Sequence, residues 1–468
     1  MNIKQILLFS IGPIGAAVLG LVTLPIVAWL FSPEDIGRLT MLNVTISFSL
    51  LLFGLGLDQA YVREFHEVED RPALLKAVFA PGFLMMTTGL SALIFLPWSL
   101  SDLLFGIDST LLTGLLIAVI PITFFSHFFS LVLRMQEKGL AFSMSQLFPK
   151  LIFLMIIVGY VWFGTEAIFE NLMMANLLSL LAVFLILTWS TRKDWVPALS
   201  ATIDKTKQRQ MIFYAIPLIG SGVAFWGLTA MDKFFLRSLS SFEELGIYSI
   251  SVSFSAAALV LQAMFSTVWA PIVYKMVADG VDPHKVSNVI DYVLLAVIVI
   301  WSIAGIFSWM VTYILPPEYV QVQYILLAAM AYPLLYTLSE ATGIGIGITR
   351  KTMYSMVAAV VALVINAVGN WLLIPSYGAA GAAMASAIAF FVFFTIRTEA
   401  SARLWQSVKR VKIYASLIVM IIISIIINLI AIDNFFIVLI YSSILGLSVA
   451  GYPNQFKNIF KYIIKKAN

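Results

Sequence analysis

The 468-residue chain is 61% hydrophobic and 11% charged, with a mean hydropathy of +0.99. A soluble domain is nearer half apolar and a quarter charged, so these proportions exclude one and indicate a polytopic membrane protein. The lack of cysteine excludes disulfides, thiol nucleophiles and cysteine metal sites. Three scattered histidines give no metal cluster, and a net charge of +4 carried at span ends points to no nucleic-acid partner.

Hydropathy predicts an all-α chain of about fourteen transmembrane helices. The first six cover approximately 6–31, 38–61, 74–99, 110–133, 141–163 and 168–189. The run 6–31 is too long for a signal-peptide core and reads as a retained span. A basic, polar stretch at 190–210 follows. Six more spans cover approximately 211–238, 244–273, 287–315, 322–348, 353–375 and 378–399. A basic connector at 397–412 leads to a last pair at about 413–432 and 435–452, then a lysine-rich tail at 454–468.

Lysine and arginine in short loops set the orientation. All 28 fall on one side except Arg38 and Arg237 near the other face and Lys150 and Lys233 within spans. Both termini are therefore expected in the cytoplasm, as an even span number requires. The loops are too short to build a glycosyltransferase, polymerase or ligase pocket. No Gly-x-x-x-x-Gly-Lys loop or HExxH motif occurs. No catalytic residue is assigned, and a transporter is expected. The glycines of 343–347 lie in a span, where small residues serve close helix packing.

Corresponding loops of the two halves match at nearly constant offsets. Ser32-Pro-Glu-Asp-Ile-Gly37 aligns with Ser241-Phe-Glu-Glu-Leu-Gly246, Lys138 with Lys351, and Phe163-Gly164 with Tyr377-Gly378. Six spans per unit is an even number, so the units share one orientation: a parallel repeat about the membrane normal. The expected organisation is an N-terminal six-helix lobe at 1–195, a cytoplasmic linker at 196–210, and a C-terminal six-helix lobe at 211–402. Two additional helices and the basic tail fill 403–468.

Seven residues stand out as site candidates. Lys150 follows Pro149 about nine residues into span five, roughly 13 Å along the helix. A lysine there cannot easily snorkel out, so it is either a cavity cation for an anionic substrate or one half of a buried ion pair. Asp232 and Lys233 follow a glycine-rich half-span and point about 100° apart, so they cannot both face one partner: one is expected to line the cavity and meet substrate, while the other binds a neighbouring helix or reaches the outer surface. Arg63, near the inner end of span two, is a cytoplasmic anchor or a first contact for a phosphate. Asp58, beside it, pairs with a base or takes part in ion coupling. Glu340, roughly 12 Å deep in span ten, is the leading proton-coupling candidate. His127, in Phe124-Phe-Ser-His-Phe-Phe129, suits proton exchange by residue type and aromatic packing by context. Trp226, Trp269, Trp301 and Trp371 could stack sugars, though interfacial belts explain most membrane tryptophans.

Three stretches together resemble the Wzx-type polysaccharide (O-antigen) flippases, within the superfamily that includes MATE exporters and lipid II flippases. These are Gly56-Leu-Asp-Gln-Ala-Tyr-Val-Arg-Glu64, then Glu244-Leu-Gly-Ile-Tyr-Ser249 with Ala270-Pro271. The third joins Asn366, Pro375 and Tyr377-Gly-Ala-Ala-Gly-Ala-Ala-Met-Ala385. The resemblance covers roughly residues 5–400. It implies a V-shaped pair of six-helix lobes around a central cavity. It also implies movement of a polyprenyl-diphosphate-linked glycan from the cytoplasmic to the periplasmic leaflet of the inner membrane by alternating access. No cofactor is expected beyond a coupling proton or sodium ion. The expected partners are that glycan lipid, membrane lipids, a polysaccharide polymerase and other assembly proteins. The alternative is a MATE-like multidrug exporter, which would need first-lobe acids to hold organic cations, whereas the best-placed mid-depth charge is Lys150. A membrane synthase is disfavoured by the short loops, and a non-transporting scaffold leaves the buried charges unexplained.

Overall fold

The computed structural model describes residues 3–94, 99–280, 284–407, 410–453 and 455. The tail expected at 454–468 lies outside them, apart from residue 455. Among the described residues every regular element is a helix, as hydrocarbon demands: a spanning chain must satisfy its backbone polar groups internally. Large apolar side chains such as Val18, Trp162 and Leu372 are exposed, which is the signature of helix faces meant for lipid.

The chain divides by internal contacts into two compact units, 1–233 and 234–468. The division falls later than the sequence boundary at 211. The cut lies within the span expected to open the second lobe.

The first unit begins with α1 (Ile3–Leu30), α2 (Pro33–Gly54), α3 (Leu57–Glu64), α4 (Arg71–Ile94) and α5 (Leu100–Phe105). It continues with α6 (Thr110–Met135), α7 (Gly139–Phe163), α8 (Phe169–Ser190), α9 (Arg192–Ser200) and most of α10 (Lys205–Leu239). Span two is not one helix to residue 61. Leu55 and Gly56 take left-handed φ values of 51° and 63°, ending α2 and redirecting α3. At Gly56 a Cβ would lie 3.2 Å from the Ala215 carbonyl oxygen of α10, so the break also permits close approach. Phe53, Tyr61, Val78, Phe124, Phe128 and Ala215 form the core here.

The polar connector is structured. Its α9 packs on α4, Trp195 donates its indole N–H to the Thr188 carbonyl at 2.9 Å, and Ala198 is buried. Lys76 Nζ donates to the carbonyls of Leu199 and Ala201, both at 2.8 Å. The stretch is thus fastened to the end of the first unit instead of running as a free linker.

The second unit contains α11 (Phe242–Ser255), α12 (Ala257–Ala278), α13 (His284–Phe307), α14 (Val311–Ile314) and α15 (Val322–Ala329). After these come α16 (Ala331–Thr342), α17 (Ile344–Ile348), α18 (Met353–Leu404), α19 (Arg410–Ile430) and α20 (Asn434–Gly451). At its centre α16 is almost wholly buried and packs on α12, α13 and α18. Close packing at the glycines of α17 holds: the Gly345 amide donates to Ser401 Oγ of α18 at 3.0 Å. The last two helices belong to this unit, α19 against α15 and α18, α20 against α13.

Twelve helices among the described residues are long and apolar enough to cross a membrane. Gly378, at φ 49° and ψ −127°, breaks α18 into two spans, and α11 with α12 forms a further one across a turn at Ala256. The helices of the described residues are therefore consistent with the fourteen spans that hydropathy indicates.

The parallel repeat is visible in backbone detail. Ser32 and Ser241 cap α2 and α11 in the same way, each side chain accepting an amide N–H at 3.2 Å, from Asp35 and Glu244 respectively. Glu137 and Arg350, each preceding the matched lysine, share left-handed φ values of 57° and 58°. Gly164 and Gly378 both have positive φ. Independent matches of this kind at three loops are hard to obtain without duplication.

Candidate functional site

The structure distributes the candidate residues into separate stations. Lys150 sits on α7, which packs along α1. Pro149 before it lacks the amide that would bond the Ser145 carbonyl, leaving that backbone group without its helical partner. Opposite lies Gly20 of α1, where a Cβ would come 3.0 Å from Lys150 Nζ. The side chain is exposed, and no carboxylate among the described residues lies within ion-pair distance of it. The alternative of a buried ion pair therefore finds no partner among the described residues.

A second station gathers on α3, α6 and α10. His127 Nε2 lies 3.8 Å from Asp58 Oδ2, and Gln59 Nε2 donates to that same oxygen at 2.8 Å. Phe124 and Phe128 point into the core, so the helical register leaves His127 on another face, partly exposed. Asp58 in the first turn of α3 and Arg63 in the last complement the helix dipole. The Arg63 guanidinium stacks 4.6 Å above the Tyr214 ring of α10 and lies 3.8 Å from Glu64. Its side chain remains half exposed, so it can reach another anion. Tyr214 carries no charge, and nothing in hydropathy marks it as a partner.

Asp232 is buried at 3% exposure, while Lys233 beside it is half-buried.

The third station lies in the second unit. Glu340 Oε1 accepts from Arg397 Nη1 at 2.9 Å, and the same nitrogen reaches Ser339 Oγ at 2.8 Å. The guanidinium also lies 5.3 Å from the Phe393 ring. Trp269 donates its indole N–H to the Glu340 backbone carbonyl at 3.2 Å, fixing α12 to α16. Arg397 was expected at the start of a cytoplasmic connector. Instead α18 continues to Leu404 and places it inside the bundle, with only 13% of its side chain exposed.

Among the described residues no group of histidine and acid side chains is arranged to hold a metal ion. Among the described residues the chemistry at these stations is electrostatic: Lys150 at mid-span without a carboxylate at ion-pair distance, the exposed Arg63 guanidinium at a span end, and Asp58 and Glu340 set against His127 and Arg397.

A family model described as a polysaccharide biosynthesis protein matches residues 3–277. No curated protein matches the sequence. Among solved structures the chain is similar to the lipid II flippase MurJ in an inward closed conformation, with a TM-score of 0.68 at 14% identity. That alignment covers 98% of this chain and 100% of the other. It is also similar to an inward-facing multidrug resistance MATE transporter of the MOP superfamily. There the TM-score is 0.61 at 13% identity, over 83% of this chain and 95% of that one. A MATE transporter of Vibrio cholerae, VcmN, gives 0.54 at 14% identity, over 86% and 96%. At such identities the likeness is one of fold. The family model, however, spans more than half of the sequence, including residues 3–233 of the first unit with Lys150. The chain belongs to the polysaccharide biosynthesis protein family.

Proposed function

We propose that this protein is a flippase. It carries a polyprenyl-diphosphate-linked oligosaccharide from the cytoplasmic to the periplasmic leaflet of the inner membrane by alternating access, coupled to a proton or sodium ion. The observation that carries this reading is Lys150, an ammonium at mid-span with no carboxylate partner among the described residues, in a chain of a polysaccharide biosynthesis family. An unneutralised cation within a span draws an anionic head group out of the leaflet. The fold is similar to a structure named as a lipid II flippase, which supports a lipid-linked cargo. Both termini lie in the cytoplasm, consistent with fourteen spans and the basic loops. A polysaccharide polymerase and other assembly proteins would take up the delivered unit.

A MATE-like exporter of organic cations fits less well. Such a site needs an acid free to meet the cargo, yet in the first unit Asp35 is paired with Arg38 at 2.9 Å, Asp58 faces His127 and Asp232 is buried and engaged. The test is reconstitution into proteoliposomes with a tagged polyprenyl-diphosphate glycan whose leaflet is read by an impermeant quencher. Wild-type protein should move the glycan lipid and Lys150→Ala should not. Movement of a cationic dye with no movement of the glycan lipid would reverse the assignment.

A further inference from the structure

The four tryptophans that sequence offers as sugar contacts are sorted by the structure. Trp301 is fully buried and donates to the Leu327 carbonyl at 2.9 Å, and Trp269 is 6% exposed, bonded to the Glu340 carbonyl. Both hold the second unit together. Trp371 is 64% exposed amid other exposed apolar side chains of α18, as a lipid-facing ring would be.

Trp226 differs from all three. It lies half-buried on α10 where that helix runs antiparallel to α2. Gly222 allows the approach, since a Cβ there would lie 3.2 Å from Leu51 Cδ1. The indole N–H donates to Ser47 Oγ of α2 at 3.1 Å, and the ring centroid is 4.9 Å from that of Phe48, itself 38% exposed. Ser47 in turn donates to the Val44 carbonyl at 2.8 Å, so the hydroxyl that orients the indole is itself fixed.

The face that carries these rings also presents polar groups. One turn before Ser47, Asn43 is exposed, and its amide has no hydrogen-bond partner among the described residues. It lies ten residues into α2, about 15 Å along the helix and so near mid-depth. Exposed amide and hydroxyl groups at that depth would be costly against hydrocarbon, so this face meets polar contents. Two aromatic rings of fixed orientation beside a free amide and a hydroxyl match the chemistry of a pyranose. The C–H face of such a sugar packs on aromatic rings while its hydroxyls exchange hydrogen bonds with amides.

We infer that Trp226 and Phe48, with Asn43 and Ser47, form a carbohydrate platform that binds a pyranose of the transported glycan. The inference rests on the flippase reading and adds the residues that recognise the sugar rather than the diphosphate.

Two probes test it in proteoliposomes of the full chain: a tagged polyprenyl diphosphate bearing N-acetylglucosamine, and the same tagged carrier without sugar. Trp226→Ala and Asn43→Ala should each slow the sugar-bearing probe about tenfold and leave the sugar-free probe unchanged. Trp226→Phe, which keeps a ring against Phe48, should retain most transport. Asn43 is exposed and unbonded, so its variant reports on binding even if Trp226→Ala weakens the α2–α10 contact. Equal loss for both probes, or loss for neither, overturns the platform while the flippase reading stands. Wild-type protein that moves neither probe overturns the flippase reading itself.

Discussion

The Arg397 guanidinium lies 2.9 Å from the Glu340 carboxylate, joining helices through residues 57 positions apart in the chain. Both side chains are largely shielded, at 13% and 22% exposure. Removing one partner strands the other, whereas removing both strands neither. Glu340→Gln and Arg397→Gln should therefore each cost about 2–3 kcal/mol, with the double variant costing clearly less than their sum. Thermal unfolding of the four proteins in one detergent checks this. Strict additivity would mean that the two charges do not support each other.

If the proposed transport is proton-coupled, the same pair is where a proton would act. A proton reaching Glu340 removes its charge and weakens its hold on Arg397, so protonation and helix contact between α16 and α18 are linked. Glu340→Gln imitates the protonated state permanently. It should flatten the pH dependence of substrate-driven proton flux in proteoliposomes while leaving some transport down a substrate gradient. A pH profile equal to that of wild type would remove Glu340 from the coupling mechanism.

Why one partner of this pair was legible in the sequence and the other was not is a matter of what hydropathy can see. An acid such as Glu340 in the middle of an apolar run stands out. Arg397 stands at the end of such a run, beside Arg403 and Arg410, and hydropathy assigns it to the loop. Only the packing of α16 on α18 draws it inward. The fourteen spans and the repeat were legible because the bilayer fixes span length and duplication fixes loop chemistry. The docking of α9 was not, because two residues, Trp195 and Ala198, make a small apolar face in an otherwise polar run. The break at Leu55 and Gly56 had a visible signal in two closely spaced glycines, yet α3 becomes distinct only when Gly56 meets α10. In the candidate site, Lys150 announced itself by depth. Its neighbour Gly20 depends on which helix lies against α7, which no local pattern states.

The repeat makes a prediction of unequal cost at equivalent positions. Gly378 combines φ 49° with ψ −127°, a region open essentially to glycine, and a Cβ there would collide with the Glu244 carboxylate. That carboxylate accepts the Ala379 amide at 2.7 Å and so caps the second span of α18. Gly164 has φ 65° and ψ 32°, ordinary left-handed geometry, and open space where a Cβ would go. Gly378→Ala should cost about 3 kcal/mol and Gly164→Ala about 1 kcal/mol. Melting curves of the two variants would show the difference. Equal shifts would mean that the Glu244 cap contributes little to the turn.

Lys150 and Gly20 give a functional prediction that separates charge from position. Lys150→Ala should abolish transport of the glycan lipid, and Lys150→Arg should retain part of it because the cation survives while its shape and reach change. Gly20 acts only through space. A methyl group 3.0 Å from the ammonium forces a shift of a few tenths of an ångström, and an isopropyl group forces more. Gly20→Ala should lower transport mildly and Gly20→Val strongly in the protein that carries Lys150. In the Lys150→Arg background the guanidinium is bulkier than the ammonium, so Gly20→Ala should have a proportionally greater effect there. The two substitutions are therefore expected to be non-additive, as neighbours in contact are. Initial rates in proteoliposomes for the four combinations of residues 20 and 150 measure that coupling. If Gly20→Ala scales the rate by the same factor whether residue 150 is lysine or arginine, α1 does not position the cation, and Lys150 acts without its glycine.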